Sequence, residues 1–466
     1  MENTEPTLAP KDDPKLNPEW IESTLDDLKD LIGSKADGFI LNIAKDLHPS
    51  DIAELSRHLN RDERTYLFNL LEPDVVSETL LELNPPMQSE YLAQADTARI
   101  SEIVKEMDSD DAADFISGLK EEVAEKILNS IDKEDSAEVR ELLLYEEDTA
   151  GGIMAKEFVA VSKELTVDQA IQKIRRRTEE VDEIYNVFAI DDSEVLNGVV
   201  PLQKLLLARP GVKVQHIMNE DVISVSTSID QEKVAKLFKK YDLISIPVVD
   251  DEKKLVGRIT IDDIVDVIED EASEDVQKTA GITDIDIQET SILRITGARL
   301  PWLAISFVGE IVSGFLMSQF QTSLTRAIYI VFFVPLVMAI GGNVGNQSAI
   351  VIIRGLTTGE IGMLETGRRM RKELWVALLL GFSLALAIFL ISGLWFHDFR
   401  LGFVIALALV VVVINAALTG TILPFVLKRL DIDPAIATSP LITTSNDILG
   451  VLIYFGMITI YLTQFS

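Results

Sequence analysis

The pattern of apolar and polar positions changes near residue 297. Beyond it lie five apolar stretches, roughly 298–320, 327–353, 373–396, 401–427 and 438–464, each long enough to cross about 30 Å of hydrocarbon with about 20 helical residues. Residues 15–145 instead carry short amphipathic segments such as SDIAELSRHLN, SEYLAQADTARISEIVKEM and DDAADFISGLKEEVAEKIL, separated by acid-rich turns. Similar helices at short spacing predict a superhelical repeat. Between them, over 153–270, the sequence repeats itself at a spacing of about 64 residues. IMAKEFVAVSKELTVDQAIQKI is answered by IMNEDVISVSTSIDQEKVAKLF, and NVFAIDDSEVLNGVVPLQKLL by SIPVVDDEKKLVGRITIDDIV. Each copy predicts a strand, a helix, a strand, an acidic turn (Asp191-Asp192 or Asp250-Asp251), a further strand and a helix.

Charge adds an orientation. Arg354, Arg368, Arg369, Arg371 and Lys372 follow the second apolar stretch, and Lys428 and Arg429 follow the fourth. Basic loops stay on the cytosolic side, so an odd number of spans places the C-terminus outside and the N-terminal body inside. The opening MENTEPTLAPKDDPKLNPEW has neither the basic nor the apolar region of a cleaved signal, which agrees. The expected location is the cell (inner) membrane, with several passes. Of 75 acids and 42 Lys and Arg, the first 295 residues hold all but 8 acids and 10 bases, about −35 against about +2 in the remainder. Such an acidic body argues against nucleic acid as a partner. The absence of cysteine excludes disulfides, zinc–thiolate sites and thiol catalysis. A phosphate loop, a nucleophile elbow and a metalloprotease spacing are all missing from the sequence, so no enzyme is expected.

The contents of the apolar stretches are unlike those of a plain anchor. AIGGNVGNQSAI places Gly341, Gly342, Asn343, Gly345 and Asn346 in the second; Asn415, Gly420 and Pro424 interrupt the fourth; DPAIATSPLITTSND opens the fifth with two prolines. Small residues let helices approach closely, and polar or broken backbone at membrane depth is tolerated inside protein or along a watery cavity. These residues are therefore expected to line a pore. Asp447 sits within the fifth stretch at a cost of about 2.5–3.5 kcal/mol, and such acids usually line an ion path or pair with a partner. Thr443 and Ser439, one and two turns earlier, share its helical face. An all-oxygen set suits a hard cation such as Mg2+ or Ca2+. Glu310 is the other acid inside a span, a structural residue or secondary ligand. A two-fold dimer would set two copies of Asp447 across one axis.

Between the repeat and the first span runs DDIVDVIEDEASEDVQKTAGI (262–282), a predicted long helix with eight acids. Carboxylates on adjoining surfaces repel, and a divalent cation between them reverses the sign. A cation-operated latch follows, with Asp433 at the start of the fifth span as its pore-mouth partner.

The whole order resembles the MgtE magnesium transporter/channel family, on RLPWL (299–303), GGNVGNQSAIVIIRGL (341–356) and DPAIATSPLITTSNDILGVLIYFG (433–456), with the internal repeat resembling a tandem pair of CBS domains. The resemblance covers residue 15 to the end. It implies a multidomain fold: a disordered tail (1–20), an all-α superhelical acidic N domain (21–150), an α/β CBS pair (151–262), a connecting plug helix (263–295) and a five-helix transmembrane pore domain (296–466). It implies a homodimer in the lipid bilayer that passes Mg2+ down its gradient and is closed by cytosolic Mg2+. The pore ligands fall on Asp447, Thr443 and Ser439, the last standing where relatives carry Asn. Sensor carboxylates fall on Asp110, Asp114, Glu232, Asp242, Asp263, Asp266, Glu271, Glu274 and Asp275, with Asp433. An adenine nucleotide at the CBS pair is a further expected partner. The alternatives are transport of Mn2+, Co2+ or Ca2+, or a membrane-anchored nucleotide sensor.

Overall fold

The structure, a computed structural model, describes residues 18–177, 184–280, 292–326, 328–430, 432–437 and 439–465. The tail expected over 1–20 lies almost wholly outside them. The chain divides into two compact units, Met1–Glu269 and Asp270–Ser466.

In the first unit, ten short helices come first among the described residues: α1 (Pro18–Ser34), α2 (Asp37–Lys45), α3 (Pro49–Arg57), α4 (Arg61–Leu70), α5 (Pro73–Leu81), α6 (Pro85–Leu92), α7 (Thr97–Val104), α8 (Ser109–Ser117), α9 (Glu121–Leu128) and α10 (Lys133–Leu142). The turns set their starts. Asn60 Oδ1 accepts the N–H groups of Asp62 and Glu63 at 3.0 Å each, and Glu63 accepts the N–H of Asn60 at 2.9 Å. This reciprocal cap satisfies donors that a helix start leaves open. Proline opens α3, α5 and α6, where its missing N–H costs nothing. Packing skips one helix: α3 meets α5, α5 meets α7, α7 meets α9, α4 meets α6 and α8 meets α10. That is the contact pattern of a superhelical stack, and its core runs through Leu55, Phe68, Leu80, Tyr91 and Ile103.

The repeat is realised as two like modules. The first comprises β1 (Ala160–Ser162), α11 (Val167–Arg177), β2 (Asn186–Ile190), β3 (Leu196–Pro201) and α12 (Leu202–Leu207); the second comprises β4 (Val225–Ser226), α13 (Gln231–Tyr241), β5 (Ser245–Val249), β6 (Leu255–Thr260) and α14 (Ile261–Ala280). In each, the first strand pairs parallel with the second, which pairs antiparallel with the third. The acidic turns match as well. Asp191 accepts the N–H groups of Ser193 (2.9 Å) and Val195 (3.1 Å), and Asp250 accepts those of Glu252 (2.9 Å) and Lys254 (2.8 Å). Glu194 and Lys253 then hold left-handed backbone, each at φ 63°.

The second unit carries five helices long and apolar enough to cross a membrane among its described residues. They are Ile292–Ser318, Val334–Thr357 with a leading 3-10 turn (Ile328–Phe333), Thr366–Phe396, Phe399–Arg429 and Ser439–Phe465. The fourth is the central one: 61% of its apolar window is buried, against 11% for the first. Tyr454 of the fifth span, fully buried, donates its hydroxyl to the Ile330 carbonyl at 2.8 Å. One expectation is corrected here. Gly420 and Pro424 do not interrupt the fourth span, which stays one helix through both, because the proline removes a single backbone bond and the bonds on either side, packed among neighbouring spans, hold.

Candidate functional site

The membrane site is built where the second span meets the fourth and fifth. Gly345 makes the crossing possible: a Cβ there would stand 2.1 Å from Asn446 Nδ2, and a Cβ on Gly420 would stand 2.1 Å from the Gly345 carbonyl oxygen. Backbones this close need glycine on both sides. Gly341 and Gly342 are buried on the same span, Asn343 is exposed and Asn346 half-buried. Asn346 Nδ2 donates to Thr443 Oγ1 at 3.4 Å. The structure thus joins two residues that the sequence placed on separate spans.

Asp447 and Thr443 are half-buried on the fifth helix. Glu310 of the first span is the neighbouring acid of Asp447, and the two spans approach closely because Gly309 is bare: a Cβ there would collide with Thr444 Cγ2. The seam also contains Asn446, only 2% exposed. Both its side-chain polar atoms, and Asn415 Nδ2 on the fourth span, are buried without a hydrogen-bond partner among the described residues. Unpaired buried amides cost about 1–3 kcal/mol each, so a chain carries them where they serve a hydrated species or a moving one. Sequence reading passed over Asn446, whose signal was its place directly before Asp447 and opposite the glycine-rich span. The side chain of Ser439 lies outside the described residues.

The second site belongs to the first unit, where α8, the segment around Glu157 and the start of α14 converge. Carboxylate oxygens of Asp108, Asp110 and Glu157 lie within 4.8 Å of one another. Ser109 holds the arrangement: its N–H and Oγ donate to Glu157 at 3.1 and 2.8 Å, and its Oγ accepts the Lys156 N–H at 2.8 Å. The Lys156 ammonium is spent on Glu141 at 2.7 Å. Asp263 accepts the N–H and hydroxyl of Thr260 at 3.1 and 2.7 Å. Burial, then the neighbouring charge of Asp263, pushes the Asp111 carboxyl up to about 7. Burial and Glu147 push Asp114 to about 6, and burial pushes Asp263 to about 6 against its bonds from Thr260. Asp110 is raised well above the usual carboxylate range by burial and by Asp263, and Glu157 is raised by burial and Asp108. This is a set of hard oxygen donors whose mutual repulsion a divalent cation would relieve.

The expected sensor residues thus divide. Asp110 clusters with Asp108 and Glu157, and Asp263 acts electrostatically on Asp110, Asp111 and Asp114. Only Glu157 lay outside the acid-rich motifs, and no local spacing marked it. Glu232 pairs with Lys236 on its own helix at 2.6 Å, and Asp242 closes α13 in left-handed backbone at φ 50°; neither is among the clustered carboxylates of Asp108, Asp110 and Glu157. Asp266 is exposed, and Glu271 and Asp275 are half-buried, on α14. In the second unit Glu274 and Asp433 share the Lys278 ammonium at 2.7 and 2.9 Å. Burial lowers the Lys278 pKa, and the two carboxylates outweigh it and raise it. A built-in cation thus occupies the place between these acids where the sequence suggested a divalent one.

Three family profiles match the chain: a divalent cation transporter domain over 334–457, the MgtE intracellular N domain over 47–148, and a CBS domain over 214–270. The magnesium transporter MgtE of Thermus thermophilus is 38% identical over 422 residues, covering 89% of this chain and 93% of its own. That of Bacillus subtilis is 37% identical over 335 residues, covering 72% and 74%. Among solved structures, the soluble part of a magnesium transporter superposes with TM-score 0.50 at 30% identity, covering 54% of this chain and 99% of that one. The first CBS module, which the CBS profile does not reach, is supplied by the fold itself, through its matching strand order and turns. The chain belongs to the MgtE family of magnesium transporters.

Proposed function

We propose that this protein is a Mg2+-selective channel for passive uptake, closed by Mg2+ on its cytosolic side. The observation that carries the reading is the seam at Asp447. There Asp447 has the Glu310 carboxylate for a neighbour, and Thr443, one turn earlier, takes a hydrogen bond from Asn346, beside a glycine crossing and unpaired amides. A pair of acids attracts a divalent ion, and the amides offer dipoles to its retained water, which Mg2+ sheds reluctantly. In a homodimer the Asp447 sites would face across the two-fold axis. The basic loops at Arg368–Lys372 and Lys428–Arg429 set the cytosolic side, leaving the C-terminus outside. Cation binding among Asp108, Asp110, Asp111, Asp263 and Glu157 would favour the closed arrangement, since the ion stabilises the state that crowds the acids.

The test is flux into proteoliposomes of the purified full chain. Mg2+ influx should fall at least tenfold in Asp447→Ala, and raising Mg2+ on the cytosolic face should close the wild type. Undiminished, still selective influx through Asp447→Ala would remove the pore assignment. Competition by Mn2+, Co2+ and Ca2+ in the same vesicles decides the cargo, and ATP added to them tests the CBS pair as a nucleotide site.

A further inference from the structure

The second unit also contains a cavity of ≈ 480 Å³ at the basic end of the second and third spans. Arg354, Arg368, Arg369 and Lys372 line it, with Glu360 and Glu365 as the opposing charges. It continues into a second hollow of ≈ 250 Å³ through the shared residues Val351, Arg369 and Lys372. Val344, Val351, Val376, Ala377, Leu380 and Ala417 form an apolar side of this hollow along the spans, alongside Gln347, Ser348 and Glu373. Arg369 stands at the junction. Its Nε is buried, 3.8 Å from Glu373, and has no hydrogen-bond partner among the described residues. Glu373 is engaged by the Ser348 hydroxyl at 3.1 Å.

We infer that this paired hollow holds one anionic phospholipid of the cytosolic leaflet, its phosphate on Arg368, Arg369 and Lys372 and an acyl chain along the Val351–Leu380 groove. Two features choose a lipid over a free phosphate. A free anion has no use for the apolar side of the hollow that opens from the basic chamber. The flanking surface is that of a headgroup layer: Trp375 is 68% exposed one turn beyond Arg371, and Leu364 is fully exposed on the loop rim, positions that an aqueous surface disfavours and an interface rewards. The lining has more positive than negative charge, as an anionic headgroup requires. This inference does not depend on which ion crosses the pore.

The test measures lipid retention and leaves transport aside. Full-length protein is purified and exchanged into mixed micelles containing phosphatidylglycerol or phosphatidylcholine, and bound lipid is counted by native mass spectrometry. Phosphatidylglycerol should be retained about tenfold more tightly than phosphatidylcholine. The double substitution Arg369→Gln with Lys372→Gln should abolish that preference. Arg371→Gln, which removes the same kind of charge from a neighbouring position outside the lining, should leave it intact. Val351→Trp, filling the join, should weaken retention while the charges remain, with helical circular dichroism confirming that each variant is folded. Equal retention of the two lipids overturns the inference, as does equal loss in Arg371→Gln. Displacement of phosphatidylglycerol by millimolar inorganic phosphate would make the chamber a free-anion site and overturn it as well.

Discussion

At the scale of single residues, the membrane seam is dictated by what is missing as much as by what is present. Gly345 lets Asn446 and the fourth span approach, so Gly345→Ala should force a shift that costs about 1–3 kcal/mol. The check is a lowered thermal midpoint in detergent, with flux reduced along with it. Asn446→Leu offers the contrasting case. It removes both unpaired amide atoms at similar volume, so the fold should be kept or strengthened while ion flux falls. Flux equal to wild type in a well-folded Asn446→Leu protein would show the amide to be a packing residue. Lys278→Gln leaves Glu274 and Asp433 facing each other without their shared ammonium. Limited proteolysis near 270–280 should then become strongly Mg2+-dependent, and identical cleavage with and without Mg2+ would count against an electrostatic tie.

At the scale of elements, α8 and the start of α14 bring acids near one another, Asp110 buried, Asp111 and Asp263 half-buried and Asp114 exposed. The carboxyls of Asp111, Asp114 and Asp263, lifted to about 7, 6 and 6, bind protons more tightly in the packed arrangement than in an open one. For acids shifted upward, the associated stability is present below the ordinary carboxylate range and is lost as pH rises through 6 to 7. Metal-free protein should therefore resist protease cleavage around 109–117 at pH 5 and become sensitive by pH 8. Mg2+ should restore resistance at pH 8, since it occupies the place that protons vacate. Resistance unchanged between these pH values without metal would show that the acids stay charged and solvated. Asp110→Asn with Asp263→Asn should protect the segment without either cation or acid, which separates repulsion from a general loosening of α8.

At the scale of the whole molecule, charge is segregated: the strongly acidic part precedes a nearly neutral apolar part. Exposed charges more than a Debye length apart are screened at physiological salt, so the acidic field alone does little at a distance. The crowded carboxylates at contact range are screened far less. Raising KCl from 0.1 to 0.5 M should therefore leave Mg2+-induced protection of 109–117 largely in place. A collapse of protection at 0.5 M KCl would assign the effect to the diffuse field.

How much was legible in the sequence follows from which signals are local. Span positions, the repeated α/β module with its Asp191 and Asp250 turns, the capped short helices and the cost of Asp447 are written in periodicity, turn chemistry and desolvation, all of which act over a few neighbouring residues. The recruitment of Glu157 to Asp108 and Asp110, the approach of Glu310 to Asp447, the crossing at Gly345 and Gly420, and the use of Lys278 between Glu274 and Asp433 join residues far apart in the chain. Nothing in the local pattern distinguishes Glu157 from a solvated acid, or Glu310 from a lone structural one. Pro424 shows the reverse case, a local breaker signal overruled because the packed fourth helix keeps its other backbone bonds. The sequence by itself determined the parts and the kind of chemistry. Tertiary structure decided which carboxylates share a site, because electrostatic cost and relief depend on distances of a few ångströms that only packing sets.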